Sequence, residues 1–389
     1  MQEDISVYPV RISGVDDVMK ACAKIGTDPG ALAYLAPKSN IIHIYAEKVD
    51  YRAAGFIKQE MLSRGGDAAV AKHVIDGRTD YSDILIMGTE KQILSLTEKM
   101  TAMKIWGIPA LREKIAGIMR NAKPRKWELA SPHGRKIILG GKTRLMAILN
   151  VTPDSFHEAS RTDEREIAER AGRFLDEGAY ILDVGAESTR PGACPVSESD
   201  EAGRLVPALR VLRREFPDAL ISVDTYKAGI ARLSADEGAD IINDISGYGF
   251  DSDMAGTVSE LGIPYVLSHI YGGLSDVGSG VSHVNILGDM DRYFAGKLAG
   301  LRRENVILDP GLGFGKSAGD NFTVLKNIES LAGFGRPVMI GHSRKRFTGG
   351  LAGTLGVTAM MAGKVSLLRV HDVAENMEAL RMGEGVSGA

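Results

Sequence analysis

The sequence predicts an α/β fold in which a (β/α)8 TIM barrel follows a smaller N-terminal α/β domain. Eight short apolar runs recur at helix-length intervals between Leu145 and Asp372, as the strands of a parallel barrel do. Nearly every run ends in polar or glycine-rich residues, which is where barrel enzymes place their chemistry. The chain has 389 residues, whereas one barrel needs roughly 250. The surplus lies before the first run, so we expect a second domain there.

The eight predicted strands are continuously apolar and do not alternate. Parallel strands that are covered by helices on one side and by a packed interior on the other should have this composition. The runs are LMAILN, YILDVG, LISVD, DIIND, YVLSH, VILDPG, PVMIG and SLLRV.

Residues 1–122 are predicted to form a separate α/β accessory domain of unknown role. NIIHIYA and DILIMG are typical of strands, and AAGFIKQEML and EKQILSLTEKM have helical spacing. The basic segment MRNAKPRKW, interrupted by Pro124, marks the boundary with the predicted barrel domain at 123–389. Next, WELASPHGRKIIL predicts a hairpin that covers the barrel floor.

Composition and charge exclude several classes of protein. Hydrophobic residues make up 44% of the chain and charged residues 25%, which is typical of a folded globular protein. The net charge of -3 gives no reason to expect a nucleic-acid partner. Two distant cysteines, Cys22 and Cys194, indicate neither a disulfide framework nor a thiolate metal site. With no signal-peptide pattern and no membrane-length apolar stretch, we expect a cytoplasmic location without membrane association.

Polar side chains at the predicted strand ends would meet at one rim of the barrel. Asp224, Asn243 and Asp309 suit a planar heterocycle with an amino and amide edge. Asn150 with Asp183 could hold an oxygen-preferring ion such as Mg²⁺. An anionic group would suit the basic residues Arg190, Lys345, Arg369 and His371.

Each of these residues, taken alone, also has a structural interpretation. A strand-end Asp can hydrogen-bond the next loop or cap a helix. Arg369 and His371 could be solvated residues, and Ser343 could begin a helix. GLGFGK at 311–316 could be only a flexible turn, since glycine-rich loops are weak evidence by themselves. Their placement on a single rim favours a functional site.

Five motifs in the same order closely resemble dihydropteroate synthase, the pterin-binding barrel family of folate synthesis. The resemblance covers about residues 125–382, and some bacterial members carry a similar N-terminal extension. The motifs are NVTPDSF at 150–156, ESTRPGA at 187–193, DPGLGFGK at 309–316, SRK at 343–345 and RVHDV at 369–373.

The resemblance implies a transferase that joins 4-aminobenzoate to 6-hydroxymethyl-7,8-dihydropterin diphosphate and releases diphosphate. It implies that Mg²⁺, bound to the diphosphate, is coordinated by Asn150. It also implies a homodimer. The catalytic residues it indicates are Arg190, Lys345, Arg369 and His371. The substrate-binding residues it indicates are Thr189, Pro191, Asp183, Asp224, Asn243, Asp309, Phe314 and Ser343.

The implied chemistry explains why the sequence shows no nucleophile with an adjacent base. The dihydropterin ring stabilises the electron-poor methylene carbon, so the main task is to stabilise departing negative charge. The attacking aromatic amine is already neutral at pH 7. Positioning that amine over the pterin methylene would supply the remaining advantage.

Several segments depart from the family pattern, including GA in place of the commoner GG before ESTRPGA. HEASRT at 157–162 replaces a glycine-rich continuation, Arg346 stands where some relatives have a serine, and FTGGLAGTLGV at 347–357 looks shortened in the usual dimer region. Three other functions stay open: a methyltetrahydrofolate-dependent methyltransferase, a synthase for a larger arylamine, and a non-catalytic pterin-binding homologue. The first would not need Arg190, SRK and RVHDV arranged around a diphosphate.

Overall fold

A computed structural model describes residues 7, 8, 10, 15–38, 40–121, 125–151, 161–187, 196–272, 281–301 and 305–387. The chain divides into two compact units, Met1–Asn121 and Ala122–Ala389. Within the described ranges, no helix is long and apolar enough to cross a membrane.

The N-terminal unit contains a three-stranded antiparallel sheet with helices. The sheet order is β1-β3-β2, so the last strand in sequence is central. The strands are β1 (Ile41–Asp50), β2 (Asp67–Val70) and β3 (Tyr81–Thr89). The helices are α1 (Val15–Ile25), α2 (Pro29–Leu35), α3 (Tyr51–Ser63), α4 (Glu90–Met100) and α5 (Ile108–Asn121).

Sequence periodicity located β1, α3, β3 and α4 of this unit, but not the helices α1, α2 and α5. Helix α4 covers the residues predicted for it, and its apolar face of Ile93, Leu96 and Met100 is fully buried. A capping box between Thr89 and Gln92 begins the helix. Strand β2 was not predicted, because DAAV is too short and too small in side-chain volume to show a strand pattern.

The second unit is a closed parallel barrel, as the sequence predicts. The strand order is β11-β10-β9-β8-β7-β6-β13-β12, every pairing is parallel, and a bridge between Leu308 and Val338 joins the two end strands. A hairpin precedes the barrel, with β4 (Trp127–Ala130) and β5 (Lys136–Leu139). The barrel strands are β6 (Arg144–Asn150), β7 (Ile181–Gly185), β8 (Leu220–Asp224), β9 (Ile241–Asp244), β10 (Tyr265–Ser268), β11 (Val306–Asp309), β12 (Met339–Ile340) and β13 (Leu367–Val370).

Helices alternate with the barrel strands and cover their outer faces. Outward-facing strand residues such as Leu145, Ala147 and Leu149 pack in one large cluster with helix residues such as Ile167 and Leu209. The helices are α6 (Arg161–Asp176), α7 (Glu198–Glu215), α8 (Ala228–Asp236), α9 (Met254–Leu261), α10 (Ile286–Ala299), α11 (Ala318–Lys326), α12 (Leu351–Met361) and α13 (Val373–Ser387).

The hairpin closes the amino-terminal end of the barrel, which agrees with its predicted place. Leu129, Ile137 and Leu139 of the hairpin pack against one inward-facing apolar residue from each barrel strand. We call those eight residues the floor layer: Met146, Ile181, Leu220, Ile241, Val266, Ile307, Met339 and Leu367. Because this end is filled and apolar, a polar site has to lie at the opposite end.

Candidate active site

The barrel interior changes from apolar to polar one step above the floor layer. The residue two positions further along each strand points the same way. At this level β6 contributes Ile148 and the segment after β12 contributes Gly341, while the other strands contribute polar residues. These are Asp183, Ser222, Asn243, Ser268, Asp309 and Arg369, which we call the polar layer. Burying polar groups costs free energy unless they are paired, so their partners indicate what the layer does.

Arg369 on β13 bridges two carboxylates from other strands. Its Nε donates to Asp183 Oδ2 at 2.6 Å, and its Nη2 donates to Asp224 Oδ2 at 2.5 Å. Strand β6 lies between β13 and β7, and β8 lies one strand further away. Only a long side chain that crosses the barrel interior can make both contacts, so the guanidinium lies across the polar layer.

This cluster has two carboxylates for one guanidinium. Burial raises the pKa of Asp224 to about 7; the charge of Arg369 opposes that rise, and the nearby Asp183 carboxylate adds to it. Burial lowers the pKa of Arg369, but the attraction of Asp183 and Asp224 outweighs this effect and raises the pKa above its ordinary value. Arg369 is therefore always charged, and one carboxylate is in excess.

Several atoms of the polar layer have no partner among the described residues. Asn243 Nδ2 donates to Asp183 Oδ2 at 3.1 Å, but Asp183 Oδ1 accepts no hydrogen bond from the described chain. The same holds for the buried hydroxyls of Ser222 and Ser268. Such atoms can be satisfied by a ligand with its own donors and acceptors.

Asp309 adds a second carboxylate site on the other side of the barrel. Its Oδ1 accepts a hydrogen bond from the Gly311 backbone N at 2.8 Å. Burial raises the pKa of Asp309, while the Gly311 hydrogen bond and the charges of Lys345 and Lys316 counteract the rise. The carboxylate is thus buried and only partly compensated.

Lys345 lies above this carboxylate, against an aromatic ring. Its Nζ is 3.7 Å from the centroid of the Phe314 ring, a cation-π contact. Burial lowers the pKa of Lys345 to about 8, and Arg369 lowers it further, while Asp309 and Asp224 act in the opposite direction. A ligand acceptor would restore the solvation that this ammonium has lost.

The glycine-rich loop at 311–316 is fixed by a buried lysine. Lys316 Nζ donates to the backbone oxygens of His269, Gly311 and Phe314, at 3.1, 2.9 and 3.2 Å. Gly311 has φ +62°, and a Cβ there would collide with the His269 backbone oxygen. Three hydrogen bonds from Lys316 thus hold the loop that carries Phe314.

Ser343 and His371 meet at the rim, where the segments after β12 and β13 come together. Ser343 Oγ lies 3.1 Å from His371 Nδ1 and accepts a hydrogen bond from the His371 backbone N at 3.2 Å. Below them, His342 Nε2 lies 2.8 Å from Thr358 Oγ1, which donates to Asn376 Oδ1 at 2.6 Å. This buried chain ties the loops after β12 and β13 to α12 and α13.

The described site therefore combines a buried polar layer with the cations Arg369 and Lys345. The sequence profile of the family described as pterin binding enzyme matches residues 146–381, which include the whole polar layer. The chain belongs to the pterin binding enzyme family.

Dihydropteroate synthases are among the relatives within this family. The chain is 37% identical to the dihydropteroate synthase of Clostridium beijerinckii over 262 residues, which cover 63% of this chain and 94% of that protein. A solved structure of the Xanthomonas albilineans dihydropteroate synthase with 4-aminobenzoic acid has 33% identity and a TM-score of 0.59. The match covers 67% of this chain and 100% of that chain.

Two longer matches also include the N-terminal unit. A probable bifunctional folylpolyglutamate synthase/dihydropteroate synthase of Halobacterium salinarum is 33% identical over 389 residues, 96% of this chain and 46% of that protein. A bifunctional dihydropteroate synthase/dihydropteroate reductase of Helicobacter pylori is 28% identical over 382 residues, 94% of this chain and 96% of that protein. The chain thus spans about half of the first protein and nearly all of the second.

Asn150 is the residue expected to hold Mg²⁺ in this pterin binding enzyme. Asn150 is the last residue of β6 and is partly exposed. It pairs with Gly185 of β7, which lies one inward step above Asp183. Asp183 Oδ2 accepts hydrogen bonds from Arg369 and Asn243, while Oδ1 has no partner among the described residues. The described residues contain no group of three or more His, Cys, Asp or Glu that could hold a metal. One amide oxygen still fits an ion that keeps several waters and takes further ligands from phosphate.

Some predicted residues of this pterin binding enzyme lie outside the described ranges. These are Thr189, Arg190 and Pro191, together with residues 157–160 of the HEASRT segment. Arg161 and Thr162, the end of that segment, begin α6. Arg346 is described: it is exposed, in a short 3-10 turn at Arg346–Thr348.

Sequence reasoning missed Ser222, Ser268 and the support role of Lys316. The signal for the two serines was available, because each lies two residues beyond a floor-layer residue in an otherwise apolar strand. A polar residue inside such a run points into the barrel interior if the strand period is followed. Nothing in the sequence indicated that Lys316 would bind three backbone oxygens.

Proposed function

We propose that this pterin binding enzyme is a dihydropteroate synthase. It would join 4-aminobenzoate to 6-hydroxymethyl-7,8-dihydropterin diphosphate in folate biosynthesis, giving dihydropteroate and diphosphate. The observation that carries the proposal is Arg369, a permanent cation with 19% side-chain exposure that contacts the carboxylates of Asp183 and Asp224. The matched dihydropteroate synthases support it.

The polar layer is proposed to bind the pterin. Asp309 would accept paired N–H donors from the amino-pyrimidine edge, as ionised carboxylates do. Asn243 would offer both a donor and an acceptor, and Asp183 Oδ1 is an acceptor available to the ligand. Asp224 would lie at the same ring system, held in place by Arg369. Lys345 would donate to a ring acceptor from above.

The proposed reaction breaks one bond and forms another. The bond between the pterin methylene carbon and the diphosphate oxygen breaks, and its electron pair leaves with the diphosphate. The amine nitrogen of 4-aminobenzoate bonds to the methylene carbon and then loses a proton to solvent. Arg369, His371 and Arg190 would stabilise the departing negative charge, which develops mainly in the transition state.

Asn150 is proposed to be the protein's ligand for Mg²⁺. When bound, this ion would neutralise charge on the diphosphate. The amide oxygen of Asn150 lies at the end of β6, at the rim. The protein's part is to orient the diphosphate so that it departs toward Arg369 and His371.

The 4-aminobenzoate is proposed to bind above the pterin. Phe314, held by the hydrogen-bonded loop and by its contact with Lys345, would offer an apolar face to the aromatic ring. Ser343 would contact the substrates beside His371. Thr189, Arg190 and Pro191 would complete this subsite, and Arg346 is exposed and would not be needed.

Assembly and location follow the same comparison with the family. We propose a homodimer, a cytoplasmic location and no nucleic-acid partner, which agrees with the net charge of -3. The N-terminal unit, proposed as an accessory domain, could carry a second activity. The Helicobacter pylori relative matches 94% of this chain, including the N-terminal unit, and is named as a dihydropteroate reductase as well. The second candidate function is therefore reduction of dihydropteroate.

The decisive experiment measures diphosphate release by the full chain. Release should require 4-aminobenzoate, the pterin diphosphate and Mg²⁺ together, and a sulfonamide that mimics aminobenzoate should block it. Protein that binds the pterin but releases no diphosphate would refute the synthase proposal. Replacing 4-aminobenzoate with larger arylamines in the same assay separates the acceptor classes.

A second assay addresses the N-terminal unit. Dihydropteroate would be offered with NADPH, with and without a flavin, to the full chain and to the chain beginning at residue 122. Reduction by the full chain alone would support the reductase candidate. Equal diphosphate release by both proteins, with no reduction by either, would leave the unit as an accessory domain.

A further inference from the structure

The hydroxyl of Ser343 contacts two atoms of the same residue, His371. Ser343 Oγ accepts a hydrogen bond from the His371 backbone N at 3.2 Å and lies 3.1 Å from His371 Nδ1. Both hydrogen-bond partners of this hydroxyl among the described residues therefore belong to one histidine. Ser343 is only 5% exposed, so little solvent reaches the hydroxyl to compete for its proton.

The two segments that carry this pair are held together by the residues that follow them. Arg344 donates to both carboxylate oxygens of Asp372, from Nη2 at 2.5 Å and from Nε at 3.2 Å. The Asp372 backbone oxygen also accepts a hydrogen bond from Asn376 Nδ2 at 2.6 Å. Two consecutive residues after β12 thus contact two consecutive residues after β13. The backbone therefore helps to set the separation of Ser343 and His371.

The donors and acceptors of this pair determine where the imidazole proton lies. A neutral imidazole carries a proton on one ring nitrogen, and the other nitrogen accepts. With the proton on Nδ1, Ser343 Oγ would accept two hydrogen bonds, and its own O–H would have no acceptor among the described residues. A buried donor without an acceptor is unfavourable. The arrangement that satisfies every group has Ser343 Oγ–H donating to Nδ1, with the proton on Nε2.

The location of this proton matters for the proposed departure of the diphosphate. Nε2 is the ring nitrogen that does not contact Ser343. With a proton, Nε2 can donate to an anionic oxygen, whereas without one its lone pair would repel the developing negative charge. The hydrogen bond at one imidazole nitrogen sets the protonation of the other. The Ser343 hydroxyl thus controls whether a neutral His371 can stabilise the leaving group.

We propose that Ser343 is a positioning residue that sets the tautomer of His371, so that Nε2–H is the donor for the departing diphosphate. This action through the imidazole goes beyond the substrate contact proposed above. The inference rests on the proposed synthase function for its effect on turnover. The tautomer itself is a property of the folded chain without substrate, so it can be measured separately.

The first measurement is a nitrogen NMR spectrum of the full chain with isotope-labelled histidine. The spectrum is recorded at about pH 8, above the ordinary imidazole pKa of about 6.5. The chain has eight histidines, and the signals of His371 are those lost in His371→Gln. Protonated and unprotonated ring nitrogens resonate far apart. We expect the proton on Nε2 in the parent chain and a mixture of both tautomers in Ser343→Ala.

This spectrum can overturn the proposal without any assay of turnover. A proton on Nδ1 in the parent chain would contradict the assignment, even if Ser343→Ala did not fold. The same tautomer in the parent chain and in a folded Ser343→Ala would show that the hydroxyl does not set it. Ser343→Thr keeps a hydroxyl and should keep the proton on Nε2.

Thr358→Val is the matched control for loss of a buried hydroxyl. Thr358 Oγ1 lies 2.8 Å from His342 Nε2 and donates to Asn376 Oδ1 at 2.6 Å, so it also links the segments after β12 and β13. None of its described hydrogen bonds reaches His371. Thr358→Val should lower Tm and leave both the tautomer of His371 and kcat unchanged.

Kinetics of diphosphate release test the consequence for the reaction. Ser343→Ala should lower kcat by about ten- to hundredfold, as removing the hydrogen-bond partner of a functional histidine commonly does. Ser343→Thr should recover most of this loss. A lost contact with 4-aminobenzoate would appear in KM instead, because interactions made only in the transition state are read from kcat.

A double variant tests whether Ser343 acts through the imidazole. Once His371→Gln has removed the ring, Ser343→Ala should lower kcat by less than about a further twofold. Additive losses of kcat, or a changed tautomer with an unchanged kcat, would overturn the proposal. If the parent chain releases no diphosphate, the synthase function has failed, and the NMR spectrum still reports the tautomer.

Discussion

Ionic clusters lie at both the floor and the rim of the barrel, but the ratio of carboxylates to guanidinium groups is reversed between them. At the floor, Asp240 accepts from Arg135 Nε at 2.7 Å, from Arg213 Nη2 at 2.6 Å and from the Ile221 backbone N at 2.9 Å. One carboxylate therefore has two guanidinium partners. At the rim, a single guanidinium among the described residues, that of Arg369, pairs with the two carboxylates of Asp183 and Asp224.

This difference separates a structural cluster from one prepared for a ligand. Both oxygens of Asp240 are paired, and the two arginines also donate to the Gly238 backbone oxygen at 3.0 and 2.9 Å. In the polar layer, Asp183 Oδ1 has no partner from the described chain. A buried charge is thus stabilised at the floor by the protein itself, while at the rim some of the stabilisation is left for the substrate.

The largest expected effect is on stability, at the floor. Asp240→Asn removes the charge that compensates Arg135 and Arg213, and breaking a buried pair in this way costs about 3–5 kcal/mol. Thermal unfolding should show a large fall in Tm. At a temperature where the variant is folded, KM and kcat should match those of the parent chain. A selective loss of kcat would contradict the proposal that the floor cluster is structural and the rim cluster binds the substrate.

Arg369→Met tests the rim. Loss of a preorganised charge that stabilises the departing diphosphate should lower kcat by about 10²–10³-fold. Single-turnover measurement of diphosphate release checks this. Arg135→Met provides the comparison, because it removes a guanidinium at the floor and should leave kcat unchanged. Equal kcat values for the parent chain and Arg369→Met would remove Arg369 from the catalytic residues.

Asp309→Asn should weaken pterin binding while leaving the floor intact. The amide cannot accept two N–H donors as the carboxylate does, and an unpaired buried donor costs about 1–3 kcal/mol. Calorimetry with the pterin alone measures this loss. Unchanged affinity would place the pterin elsewhere in the barrel.

The smallest expected effect is a pH dependence of stability. Because burial raises the pKa of Asp224 to about 7, the folded chain binds this proton more tightly than the unfolded chain does. The free energy of unfolding should therefore fall as pH rises from about 4 to about 7, and the part of the fall between pH 5.5 and 7 should be about 1–2 kcal/mol.

Asp224→Asn removes that titration. In denaturation series over pH 5.5–8, the parent chain should lose stability relative to this variant as pH rises. Parallel curves for the two proteins would show that Asp224 is ionised throughout. In that case the carboxylates of the rim would be as fully compensated by positive charge as the Asp240 carboxylate at the floor.

Much of the site could be predicted because barrel topology converts sequence order into proximity. Parallel strands present their carboxyl ends together, so Asp224, Asn243 and Asp309 were expected at one rim, and the structure places them there. Their roles as substrate ligands stay predictions. The hairpin was likewise predicted beneath the barrel because it leads into the first barrel strand, and the structure places it there.

Partners that lie far apart in sequence could not be predicted. Arg369 pairs with Asp183 across 186 positions, and no local pattern encodes which carboxylate a long side chain will reach. Lys316 appears in the sequence as an ordinary basic residue after a glycine. Its hydrogen bonds to the backbone oxygens of His269, Gly311 and Phe314 depend on how the segments after β10 and β11 meet.

The sequence by itself determined the order of strands, the apolar floor and the presence of a polar rim, because strand period and helix spacing are local properties of the chain. Only the tertiary structure decided which charges are compensated. Burial and distance set the pKa values of Asp224, Lys345 and Asp309 and the division between a satisfied floor and an unsatisfied polar layer. Those quantities depend on the closed barrel, which brings side chains from distant strands into one interior.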